Sequence, residues 1–134
     1  MVHNKSFVLT RYPRGTIPTL AIHMKLITIQ VQPGYDNEDY LIKLVSNFVK
    51  DLDAKGGYEE TEIEVSPKDN EWVNIHIKSN DLVKDWNNVI HILLNSEKYS
   101  LIKEISIIVC EGDDGWNDYK LLYHFDSSET LDIL

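Results

Sequence analysis

The chain has 134 residues, 43% of them hydrophobic, a formal net charge of −9 and one cysteine. It is the size of one ordinary domain with enough apolar material for a core. A lone thiol excludes an intramolecular disulfide framework, and no apolar run approaches the roughly 18 residues of a membrane-spanning helix.

The charge is unevenly placed. Residues 1–24 carry Lys5, Arg11 and Arg14 and no acid, whereas residues 25–134 carry ten Lys, no Arg and all 22 Asp and Glu, a net −12. A body of that sign disfavours nucleic acid and anionic membrane, both of which need a basic surface. It favours a basic protein surface as partner. No charged-then-apolar leader ending in a cleavage site is readable, so a reducing cytoplasm is the expected setting.

Residues 1–23 fit two readings: a hairpin turning at Pro13-Arg14-Gly15 with Phe7, Leu9, Leu20 and Ile22 in the core, or an appendage ahead of a core spanning 24–126. Either way the chain reads as a single domain over 1–134. Residues 25–32 alternate, with Ile27, Ile29 and Val31 on one face and Leu26, Thr28 and Gln30 on the other, which predicts the first core strand. Pro33-Gly34 turns the chain. Asp36 then caps a helix whose Leu41, Leu44, Val45, Phe48 and Leu52 recur at helical spacing, and Gly56-Gly57 stops it.

Residues 58–65 alternate again, Thr61, Ile63 and Val65 inward and Glu60, Glu62 and Glu64 outward. After a turn cluster at 66–70, residues 71–78 return with Val73, Ile75 and Ile77 against Trp72, Asn74 and His76, which predicts a hairpin. Ser79-Asn80-Asp81 offers a second helix cap, followed by an apolar stripe through Leu82, Val83, Trp86, Val89, Ile90, Leu93 and Leu94. Residues 101–110 form the most apolar and β-branched run of the chain and are expected to be an inner strand, since strands buried on both faces read as near-continuous apolar runs. Gly112-Asp113-Asp114-Gly115 turns the chain, and residues 116–125 run back with Tyr119, Leu121, Tyr123 and Phe125 on one face. Residues 126–134 are expected to be a polar link and a short apolar end.

The predicted order β-α-β-β-α-β-β is α+β: a ferredoxin-like split βαβ arrangement, both helices on one face, with an added antiparallel C-terminal strand.

No constellation for chemistry emerges. Counting twelve positions from Asp113 or Asp114 reaches His124 or Phe125, where a calcium loop needs a Glu, so the segment reads as an acidic hairpin turn. The five histidines lack ligand spacing, Cys110 has no basic neighbour in sequence, and the phosphate-binding and nucleophile-elbow motifs are absent. No catalytic residue, metal or cofactor is expected.

Two acidic groups remain, Glu59, Glu60, Glu62, Glu64, Asp69 and Glu71 on the first hairpin and Glu111, Asp113, Asp114 and Asp118 on the last, with Trp72 and Trp116 at the strand ends beside them and His76 facing the first. A solvated face would explain the carboxylates and sheet-end plugs the tryptophans. The sharper expectation is a docking surface with tryptophan anchors. On that reading the chain is a non-enzymatic, acidic protein-binding module, an inhibitor of a basic partner such as a nuclease toxin. In size and charge alone it resembles bacterial immunity proteins and small acidic ribonuclease inhibitors. Two alternatives stand beside it: a small-ligand or enzymatic domain using the open sheet face around Asn74, His76 and Glu62, and a homodimer formed through that face.

Overall fold

A computed structural model describes residues 24–32, 38–55, 60–67 and 72–134. The hairpin-or-appendage question over 1–23, the cap at Asp36 and the stop at Gly56-Gly57 lie outside them. Five strands form one antiparallel sheet in the order β2-β3-β1-β4-β5: β1 Lys25–Val31, β2 Glu60–Val65, β3 Val73–Ser79, β4 Ser106–Gly112 and β5 Gly115–His124. Among the described residues three α-helices, α1 Glu38–Lys55, α2 Leu82–Val89 and α3 Ser100–Lys103, accompany the sheet in an α+β fold.

The period-2 pattern sets which side of the sheet is dry. Ile27, Ile29 and Val31 of β1 and Val73, Ile75 and Ile77 of β3 stand cross-strand partners in perfect register, Ile29 opposite Ile75 at the centre. They join Ile108 and Cys110 of β4 in one apolar cluster with the helical residues Leu41, Val45, Phe48, Leu52, Val89 and Ile102. The 4-3-4 spacing of the four α1 residues puts them on one stripe, which is why that helix lies on this face. Phe48 also meets Tyr99 edge-on, ring centroids 5.2 Å apart.

Asp81 caps α2 as its sequence suggests, its carboxylate accepting the Lys84 amide at 3.2 Å. The helix then widens into a π turn over Ile90–Leu94, closed by the Asn95 amide donating to the Ile90 carbonyl at 2.9 Å.

Three sequence expectations are corrected here. The inner strand begins at Ser106, not at 101: Leu101 and Ile102 belong to the short helix α3, whose end is pinned by the Ser106 hydroxyl donating to the Ile102 carbonyl. β4 is nonetheless an inner strand, flanked by β1 and β5 and buried on both faces. The alternation in β5 breaks, because Ile108 pairs with Tyr123 while Val109 pairs with Leu121. The extra residue, Leu122, packs with the helix-side core, whereas Leu121 and Tyr119 serve the opposite face. Finally, the end of the chain docks on β5: the Asp132 amide donates to the Leu121 carbonyl, the Asp132 carboxylate accepts the Leu121 amide, both at 2.8 Å, and Leu134 packs against the core.

Candidate functional site

The face opposite the helices begins with alternate residues of the three strands that carry polar side chains. Register places Thr28 and Glu62 on either side of His76, and Gln30 and Glu64 on either side of Asn74. Side-chain bonds join register partners at Thr28–His76 and Asn74–Glu64 and cross the grid diagonally at His76–Glu64. The Thr28 Oγ1 lies 2.9 Å from His76 Nδ1, and His76 Nε2 lies 3.0 Å from Glu64 Oε1, which also accepts from Asn74 Nδ2 at 3.4 Å. A hydroxyl–imidazole–carboxylate chain of this kind can pass a proton. Here its hydroxyl and imidazole are buried, as are Gln30 and Asn74, while the Glu64 carboxylate is partly exposed, so the chain braces three strands and reaches solvent only at its carboxylate end. His76 thus contacts Glu64, two residues along from its register partner Glu62.

The rest of the first hairpin divides by exposure. Glu60 is exposed and pairs with Lys78 at 3.2 Å, and Glu62 is exposed. Trp72 is 7% exposed and has little surface to offer a partner. On the other face of β2, an end strand in the sheet order, Ile63 and Val65 are 39% and 42% exposed.

The acidic residues of the last hairpin hold their own turn. Asp118 accepts the Asp114 amide at 2.8 Å, Asn117 donates to the Asp114 carboxylate at 3.2 Å, and Gly115 supplies the left-handed residue at φ 62°. Asp113, fully exposed, lies 3.4 Å from the Lys25 ammonium. Trp116 is half-buried, packed with Tyr119 on the second apolar cluster of Ile107, Val109 and Leu121. Nearby, Glu111 accepts the Leu26 amide at 2.7 Å; burial pushes its carboxyl up, against the opposing pull of that amide and of Lys25.

A cleft of about 560 Å³ opens on the helical side, lined by Asp51, Ala54, His91, Asn95, Lys98 and Tyr99 among others. The Tyr99 hydroxyl and the Lys98 ammonium converge on Asp51 Oδ2, the latter at 3.0 Å. Those two bonds, Tyr99's first, hold the Asp51 carboxyl below its ordinary value. Burial, then the bond to Asp51, raises the Tyr99 phenol. Sequence reasoning misses this group because its parts lie 47 and 48 residues apart with no recurring spacing.

Cys110 sits in the core, and burial pushes its thiol up to about 11. Among the described residues, no group of three or more His, Cys, Asp or Glu could hold a metal ion, and no helix is long and apolar enough to cross a membrane.

No protein-family model and no curated protein matches the sequence. Two solved structures are similar in fold. The structure of Rv0793 from Mycobacterium tuberculosis superposes with a TM-score of 0.51 at 11% identity, over 66% of this chain and 93% of that one. The crystal structure of a conserved protein from Methanosarcina mazei Go1 gives 0.52 at 10% identity, over 67% and 92%. At such identities the likeness is one of fold, and it supports the α+β architecture alone.

Proposed function

We propose that the chain is an acidic, non-enzymatic protein-binding module that neutralises a basic partner such as a nuclease toxin, built on a ferredoxin-like scaffold. The strand order β2-β3-β1-β4, with β5 added beyond β4, supports that scaffold. One observation carries the binding reading: the outermost strand of a strongly acidic chain holds exposed carboxylates at Glu60 and Glu62 and exposed aliphatics at Ile63 and Val65. Charge steers the encounter and apolar contact holds it. Asp113 and Asp114 extend the acidic surface at the far hairpin, with Trp116 beside them; Asp118 is occupied within its turn. The test is a low-salt pull-down from the native cell, followed by an activity assay of what is retained. A basic protein whose activity falls stoichiometrically on adding this chain is the expected result. Retention of no basic protein, or of one whose activity is untouched, overturns the reading.

A second reading rests on the cleft at Asp51, His91, Lys98 and Tyr99. Its volume is that of a small-molecule site, and polar groups converge on it. The small-ligand alternative therefore moves from the sheet face, where Asn74 and His76 are buried, to this cleft. Chemical-shift changes at His91 and Lys98 on adding acetate or inorganic phosphate would favour it, and unchanged shifts would remove it.

A further inference from the structure

We infer that β2 is a strand-addition edge, and that it takes an extended segment of the partner in which Lys or Arg alternates with an aliphatic residue. This rests on the protein-binding reading and names its surface.

The two edges of the sheet differ. On β5 the chain's own end closes over Leu121, whose amide and carbonyl both bond to Asp132. On β2, β3 is the only strand neighbour among the described residues. An edge strand turns alternate amides and carbonyls outward, and these can template another strand. Proteins commonly blunt such an edge with charge. Glu60 and Glu62 do so here, yet on one face only. The opposite face shows Ile63 and Val65, with more than a third of each in solvent. A purely defensive edge has no need of two exposed β-branched aliphatics.

The period of the strand fixes what would pair with it. Glu60 and Glu62 share one face, Ile63 and Val65 the other, so an added strand must bring cations to the first and apolar side chains to the second. A second copy of this chain is the wrong occupant. Edge-to-edge pairing of β2 with itself would set glutamates against glutamates, and like charges across strands are destabilising.

The probe is an end-capped peptide, Lys-Val-Lys-Val-Lys-Val, compared with the block isomer Lys-Lys-Lys-Val-Val-Val and with the alternating peptide N-methylated at every second residue. Binding is followed by amide hydrogen exchange and chemical shifts on the full chain. The alternating peptide is expected to slow exchange of outward β2 amides and to bind more tightly than either control. Ile63→Ser and Val65→Ser should each weaken it by up to about 5-fold, the upper end of a cross-strand pair, with the unfolding midpoint falling by no more than a few degrees because each side chain is partly in solvent. Equal binding of all three peptides overturns strand addition while leaving charge-led docking intact. Binding by none overturns it too, and the activity assay on the retained partner then decides the docking reading separately. A dimer in sedimentation with β2 amides already protected would assign the edge to a second copy and overturn the inference.

Discussion

His76 and Glu64 meet diagonally across the β2–β3 pair, imidazole Nε2 3.0 Å from carboxylate Oε1, with the ring 3% exposed and the carboxylate side chain 37%. The imidazole is clamped from its other nitrogen by Thr28 on β1, so one side chain ties three strands together. This divides the acidic row of β2 into two uses: Glu64 faces inward to the sheet's polar brace, and Glu60 and Glu62 face solvent.

The brace should be measurable in stability. Thr28→Val keeps the shape of the side chain and removes the hydroxyl that His76 Nδ1 bonds. A lost buried hydrogen bond costs roughly 1–3 kcal/mol, which lowers the unfolding midpoint of a domain this size by several degrees. A midpoint equal to the parent's would show that the Thr28 contact contributes nothing.

Asp85 should make stability depend on pH. It is fully buried on α2, where the Ser79 hydroxyl donates to its Oδ2 while its Oδ1 has no hydrogen-bond partner among the described residues. Burial raises its carboxyl above the ordinary 3.8, against the opposing bond from Ser79. A raised acid contributes stability fully below its unfolded value, and that contribution is lost as pH rises through the folded one. Asp85→Asn leaves a buried neutral amide, which costs less than a buried charge. Its unfolding midpoint should therefore exceed the parent's at pH 7, with the gap closing as pH falls toward 4. A gap constant across that range would contradict this.

The last hairpin offers a test of geometry rather than charge. At Gly112 an added methyl would run into the Asp118 carbonyl, and at Gly115 the backbone is left-handed. Gly112→Ala should cost on the order of 1–3 kcal/mol through overpacking. Gly115→Ala should cost about 1–2 kcal/mol, and Gly115→Asn less, because Asn tolerates that conformation. Denaturant unfolding ranks them; equal losses for the two Gly115 variants would point to crowding rather than dihedral strain.

Much of the fold is legible in the sequence because the core strands alternate cleanly and α1 keeps a single stripe. Ile27, Ile29, Val31, Val73, Ile75 and Ile77 fall on the helix-side core as their period requires. Where reading fails, local pattern competes with tertiary context. Leu101 and Ile102 are apolar enough for a strand, but they lie in a short helix that follows Tyr99, whose ring packs edge-on against Phe48 of α1. The bulge at Leu122 has no marker in composition. Trp72 stands next to an acid in sequence, which suggests a surface, yet it is buried immediately before the inner strand β3. The cleft group of Asp51, Lys98 and Tyr99 is invisible to spacing, being assembled by the packing of α1 against the turn before α3.

The central claim is that an acidic outer strand steers this chain onto a basic partner. Association and dissociation rate constants against the retained partner, for the parent and for the double variant Glu60→Lys with Glu62→Lys, test it most directly across salt concentration. Steering of this kind accelerates encounter by about 10- to 10³-fold at low ionic strength, and it should fade as the Debye length shortens from about 30 Å at 0.01 M to about 10 Å at 0.1 M. The expected result is a parent association rate that falls steeply with salt, a variant that associates more slowly and with a flatter slope, and dissociation rates that change much less. An association rate independent of salt, or identical for parent and variant, would contradict the account.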